Sequence, residues 1–168
     1  IKFTIWIKKY FYIMKGAIMQ PYIFPYIGYF QMINAVDKFV FYDDVNFIKR
    51  GWINRNKILI NGKDTLVSIP LIKASQNKLI NETDIFFDTN MRKNLISKIE
   101  NAYKKSPFFD EVIGLIRDII NADISNVGEY AANSIVSVSN YLEIDTKFHY
   151  SSILSPESKN LNRADRLI

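Results

Sequence analysis

Asp43 and Asp44 stand a few residues ahead of Arg50-Gly51-Trp52 and of Asn54, Arg55, Asn56 and Lys57. Acids, guanidinium groups, amides and an indole are therefore crowded into one short stretch. A carboxylate can take a hydroxyl proton, orient a sugar hydroxyl or hold Mg²⁺, so Asp43 and Asp44 are the candidate catalytic residues. The planar fork of arginine suits bidentate phosphate or carboxylate binding, which makes Arg50 and Arg55 candidate substrate ligands, with Lys57 a weaker one. Trp52 offers a face on which a base or sugar ring can stack, and Asn54 adds an amide. Asp43 and Asp44 are consecutive, so in an extended chain their side chains leave on opposite faces. That disfavours a paired acid–base dyad and leaves one acid for chemistry while the other caps the following turn. Upstream, Gln20 and Tyr29 are the best hydrogen-bonding candidates, ahead of Tyr22 and Tyr26. Pro21, Pro25, Gly28 and Gly51 shape the backbone around them. The plain alternatives are a capped turn, a solvated edge strand whose Lys and Arg deter aggregation, and aromatic packing.

Little else in the chain competes as chemistry. His149 is the single histidine and cysteine is absent, so no disulfide, thiolate metal site or second histidine for a zinc site or triad exists. No metal site is expected, and the sequence names no cofactor. His149 sits in Phe148-His149-Tyr150 and reads as a satisfied or surface strand residue. Asn81-Glu82-Thr83 fits the glycosylation sequon as a chance match.

Charge supports an anionic partner. Residues 1–60 carry nine Lys/Arg against three acids, whereas residues 61–168 carry thirteen against fourteen. The whole excess of the +5 chain lies around the aromatic-rich block, and such a field favours a phosphate, a nucleotide or nucleic acid. A length of 168 residues suits one domain with an ample core. Residues 1–13 are apolar and aromatic but split by Lys8 and Lys9, so they cannot supply the ~20 apolar residues of a membrane span. They also lack a small-residue cleavage site. The expected location is the cytoplasm.

The elements that must position these groups read as α/β. Ala17 to Met19 is a short apolar run stopped by Gln20-Pro21, as for a buried strand. Tyr26 to Ala35 keeps helical spacing, and Lys38 to Tyr42 is aromatic and β-branched. Strand, helix and strand in that order form a βαβ unit, which makes the two strands parallel. Lys57 to Ile60 and Thr65 to Ile69 flank Asn61-Gly62, the signature of a type I′ hairpin, closed by Pro70. Asp84 to Phe87 reads as another short strand. Three helices follow: one behind a Thr89 cap, one opened by Ser106-Pro107 with Pro at the first helical position, and one behind an Asn126/Glu129 capping box. Lys147 to Tyr150 reads as a returning strand. In a parallel sheet, ligands sit beyond the carboxyl ends of the strands, where Gln20 to Pro25 and Asp43 to Trp52 emerge. The start of the helix at Tyr26 would aim free N–H groups at the same place.

The same residues carry a resemblance. Gln20-Pro21, Pro25, Gly28-Tyr29-Phe30, Tyr42-Asp43-Asp44-Val45, Arg50-Gly51-Trp52 and Asn54-Arg55-Asn56 resemble the pattern of the WbqC-like family. Ser68-Ile69-Pro70, Tyr103 and Pro107-Phe108-Phe109 extend it. It runs from about Met14 to the last residue, and Arg163 to Ile168 resembles the start of a helix near that family's C-terminal third. The resemblance implies a bacterial protein of O-antigen and other surface-polysaccharide gene clusters, with a transferase role suggested for it that places glycine on a sugar. It also implies a domain from residue 14 to 168 that lacks several tens of C-terminal residues, behind an extension over residues 1–13.

Three functions are open to such a chain. The leading one is group transfer on a nucleotide-linked or phosphate-bearing sugar, with Arg50 and Arg55 on phosphate, Trp52 stacked, and Asp43 or Asp44 on the acceptor. A strand, a proline-containing loop and then Gly28-Tyr29 at a helix start are similar to the opening of nucleotidylyl transferases, but the histidines of that site are missing here. A non-catalytic nucleic-acid module would use the basic, aromatic first third for stacking, yet no helix-turn-helix or RRM signature is present.

Overall fold

Three short strands set the frame: β1 (Gly16–Met19), β2 (Lys38–Phe41) and β5 (Lys147–Tyr150). They form one sheet in the order β1-β2-β5. All are parallel, with Gly16 opposite Lys38 and Lys38 opposite Lys147. The computed structural model describes residues 14–161 and residue 165. The extension expected over residues 1–13 and the helix expected from Arg163 lie outside the described residues, Asp165 apart. Among the described residues no helix is long and apolar enough to cross a membrane.

Helix α1 (Ile27–Asn34) crosses from β1 to β2 and buries Tyr29, Phe30 and Ile33. These pack on Phe39 and Phe41 of β2 and on Ala132 and Ile135 of α4 (Val127–Tyr141), with Phe148 and Tyr150 against the same cluster. Side chains alternate across a strand, so α1 and α4 cover one face of the sheet, that of Phe39, Phe41, Phe148 and Tyr150. Phe41 stacks on Phe148 with centroids 5.5 Å apart.

The second sheet is the hairpin of β3 (Arg55–Ile60) and β4 (Lys63–Ser68). Asn61 and Gly62 turn it with φ of 50° and 77°, the positive values a type I′ turn requires. A second core joins Ile53, Ile69, Ile80, Phe87 and Tyr130 beneath α2 (Thr89–Tyr103) and α3 (Phe109–Asn121). A short helix, α5 (Ser151–Leu154), leaves directly from β5.

Several local expectations shift. Asp84 to Phe87 is not a strand: Asp84 and Ile85 form only isolated bridges, to Asn126 and Leu71. The cap of α2 is Asp88, whose carboxylate accepts from the Met91 amide at 2.8 Å, so Thr89 already lies inside the helix. Pro107 is not the first residue of α3. Phe108 takes a left-handed φ of 61°, which ends the turn from Tyr103 and starts the helix at Phe109. Asn126 caps α4 as expected, accepting from the amides of Gly128 and Glu129.

Candidate functional site

β2 ends at Phe41 and β5 at Tyr150, paired residue for residue. The chain therefore leaves both strands at one edge, and the residues just beyond each strand must meet. Asp43 and Asp44 come after β2; Ser151 and Ser152 come after β5. Both acids are buried, 4% and 3% exposed, and a buried carboxylate is stable only when hydrogen-bonded. Ser151 Oγ lies 3.0 Å from Asp43 Oδ1 and 2.5 Å from Asp44 Oδ1. A hydroxyl carries one proton, so it serves one acid at a time. Ser152 donates twice to Asp43, from Oγ to Oδ2 at 2.6 Å and from its amide to Oδ1 at 3.0 Å. The Asn81 amide adds a longer bond to Asp43 Oδ2 at 3.4 Å.

The expectation that the two acids face apart is thus corrected. β2 has stopped by Phe41, the alternation of an extended strand no longer holds, and both carboxylates turn onto Ser151.

Asp43 opens on a cleft of about 540 Å³, with Asn81, Asn126, Glu129, Tyr150 and Ser152 around it and Ile124, Val136 and Ile153 as its apolar part. Burial pushes the Tyr150 phenol above its usual range, and the charges of Glu129 and Asp43 push it further in the same direction. The phenol therefore stays protonated at neutral pH and can donate. Carboxylates, amides, hydroxyls and a ring side by side suit a polyhydroxylated ligand.

The basic arm stands elsewhere. Arg55 Nε donates to the Gly51 carbonyl at 2.7 Å and its Nη2 to the Arg50 carbonyl. The guanidinium also lies over the Trp52 ring, 5.7 Å from its centroid. Arg55 is therefore a staple for the 50–52 turn. That turn is tight: Arg50 has a left-handed φ of 62°, and a Cβ on Gly51 would come 3.0 Å from the Ile48 carbonyl oxygen. The Arg50 side chain is exposed, and so is Trp52. Asn54 pins the hairpin by donating to the Ile69 carbonyl at 2.8 Å. Lys57 pairs with Asp64 across the hairpin at 2.5 Å.

The upstream candidates hold the loop after β1. Tyr29, 1% exposed, donates its hydroxyl to the Gln20 carbonyl at 2.8 Å. Burial, with Tyr22 beside it, raises that phenol far above its usual range. The Gln20 side chain accepts from the Tyr22 hydroxyl at 3.4 Å. Pro21 is buried and Pro25 half-buried in the same loop. Gly28 sits in the first turn of α1 against the Tyr26 ring.

Of the candidate residues, Asp43 alone lines the polar cleft, while Asn54 and Arg55 line a second, apolar cleft beside the hairpin. Gln20, Tyr29, Arg50 and Trp52 line neither. Asn81, Glu129, Tyr150, Ser151 and Ser152 were missed. The parallel pairing of β5 with β2 carries a usable signal, since it brings the residues after Tyr150 to those after Phe41. His149 is half-buried, and its Nε2 is buried with no hydrogen-bond partner among the described residues.

A parallel α/β sheet with its polar cleft at the carboxyl ends of β2 and β5 is the class of protein these features define. The chain belongs to the WbqC-like protein family, whose model matches residues 20–168. An uncharacterized protein of Mycobacterium tuberculosis, Rv1507c, is 30% identical to it over 138 residues, covering 79% of this chain. The chain spans 58% of that relative's length. No solved structure matches it.

Proposed function

We propose that the chain is a group-transfer enzyme of O-antigen or other surface-polysaccharide assembly, acting in the cytoplasm on a nucleotide-linked or phosphate-bearing sugar. One observation carries this reading: Asp43 is held by Ser151 and Ser152 at the head of a cleft whose other polar groups are amides, hydroxyls and a carboxylate. In such a site the sugar hydroxyl or amine donates to Asp43. Asp43 takes that proton as the acceptor atom bonds to the transferred group, and the donor's leaving group departs with the bonding electrons. General-base help of this kind contributes about 10²–10⁴-fold. Asp44, Ser151 and Ser152 position Asp43. Arg50 and Trp52, exposed on the turn that Arg55 staples, line neither cleft, so a phosphate and ring that they hold belong to a part of the donor lying outside the Asp43 cleft. Glycine is the transferred group suggested by the family's setting. Residues 14–168 act as one WbqC-like domain.

The nucleotidylyl-transferase reading gains nothing from α1, whose first residues Ile27, Gly28 and Tyr29 offer no cationic side chain to a phosphate.

The test is a thermal-shift screen of nucleotide sugars, free nucleotides and a short oligonucleotide, each with and without Mg²⁺. Stabilisation by a nucleotide sugar that disappears in Asp43→Asn is the expected result. Stabilisation by free nucleotide alone favours a nucleotidylyl transferase, and stabilisation by the oligonucleotide alone favours a nucleic-acid module. No shift from any of them in a folded protein overturns the reading.

A further inference from the structure

The residues that set this sequence apart do not gather at the polar cleft. Asn54-Arg55-Asn56, Ser68-Ile69, Tyr103 and Pro107-Phe108-Phe109 instead line one cavity of about 360 Å³ between the hairpin, α2 and α3. Its apolar wall mixes aliphatic side chains, among them Ile23, Val67, Ile69 and Leu95, with the rings of Phe24 and Phe109. It is a half-open cleft whose floor reaches the larger hydrophobic cluster, since Ile23, Ile69 and Leu95 belong to that cluster. Close packing is the rule in protein interiors, and a volume in the range of roughly 300–1,000 Å³ is that of an ordinary small-molecule site.

The geometry also fixes the walls. Asn56 donates to the carbonyl of Ile23 at 3.0 Å and also to that of Phe24, tying the loop after β1 to β3. Tyr103, at the end of α2, accepts from the Leu59 amide at 2.9 Å. These bonds tie β3 to the loop after β1 and to the end of α2.

Among the described residues, the only charged ones lining the cavity are Arg55 and Lys57, both cations. Lys57 shares its charge with Asp64 at the exposed face of the hairpin, and Asp64 itself does not line the cavity. We infer that this cavity binds a single-chain amphiphile, an alkyl chain with an anionic carboxylate head. The chain lies along Val67, Ile99 and Ile116, and the head meets Arg55 and Lys57 at the rim. The site is separate from the cleft of Asp43, with no lining residue in common.

The probes are dodecanoate, the cationic dodecyltrimethylammonium and the neutral dodecyl maltoside, each below its micelle concentration. Binding is read by calorimetry. Val112→Trp fills the cavity from α3, and Lys57→Glu reverses the charge at the rim; both are checked for folding by circular dichroism. Saturable binding of dodecanoate is expected, at least tenfold tighter than that of the cationic probe. It should weaken tenfold or more in the folded Val112→Trp protein and severalfold in Lys57→Glu. Equal affinity for all three probes overturns the inference, as does unchanged binding in both variants. Sedimentation that shows the cavity closed by a second copy of the chain overturns it too. Asp43→Asn should leave dodecanoate binding intact, so failure here and failure of the transferase reading are distinguishable.

Discussion

Ser151 Oγ stands 3.0 Å from Asp43 Oδ1, although the two residues are 108 positions apart. The contact exists because β5 lies parallel to β2 and both strands end in step. One hydroxyl thereby closes a long crossover onto the acids that come after the first βαβ unit.

Removing that hydroxyl should cost stability. In Ser151→Ala the buried carboxylates of Asp43 and Asp44 lose a shared partner, and an unsatisfied buried group costs about 1–3 kcal/mol. At about 2–4 °C per kcal/mol for a chain of this size, a calorimetric Tm several degrees lower is expected. An unchanged Tm would mean the hydroxyl carries no weight.

Ser152 separates support from chemistry. Its side chain is half-buried, and its Oγ bonds Asp43 Oδ2 at the cleft. Ser152→Ala should shift Tm by no more than about 1 kcal/mol equivalent. Turnover should fall more steeply, because Asp43 is then poorly oriented. Equal loss of stability and activity would assign Ser152 to the fold alone.

How much of this was legible beforehand differs by element. β1, α1, β2 and the hairpin could be read because each carries a local signal: an apolar run before Gln20-Pro21, helical spacing to Ala35, and Asn61-Gly62. The carboxyl-end position of the acids followed from the parallel pairing alone. The long-range part was not legible. Nothing near Ser151 announces a partner at Asp43, and a serine after a strand reads as ordinary turn chemistry. Arg55 was visible as a cation but not as the staple of the 50–52 turn, which depends on the left-handed backbone at Arg50. Pro107 misled because helix starts favour proline, whereas here the preceding turn continues through Phe108.

Arg92 is the clearest case of a hidden structural role. Its Nε donates to the Phe87 carbonyl at 2.8 Å, and Nη1 reaches the carbonyls of Ile120 and, at 3.1 Å, Ala122. The guanidinium also lies over the Phe87 ring, 4.7 Å from its centroid. Arg92→Ala strips partners from the end of α3, and a loss of about 2–3 kcal/mol in urea unfolding is expected. Arg92→Lys should recover only part of it, because lysine lacks the planar fork. Full recovery by lysine would reduce the role to charge.

Alkaline unfolding has a defined direction. Burial pushes the Tyr130 phenol up to about 12, and Tyr29 and Tyr150 are shifted the same way. A pKa raised in the folded state means the fold binds more protons than the unfolded chain above the ordinary tyrosine value. The stabilisation is therefore complete below about pH 10 and is lost as pH rises from there through the folded values. Denaturant midpoints should be flat from neutral pH to about 10 and then fall, and less steeply in Tyr130→Phe. A midpoint that rises above pH 10 would contradict the burial of these phenols.

The proposed contact between Asp43 and the sugar at the polar cleft is open to direct measurement. Isothermal titration of a nucleotide sugar into the wild-type protein and into folded Asp43→Asn tests it most directly. Saturable binding is expected that weakens at least tenfold in the variant, with group transfer falling by about 10²-fold or more. Equal affinity and equal turnover in the two proteins would contradict it.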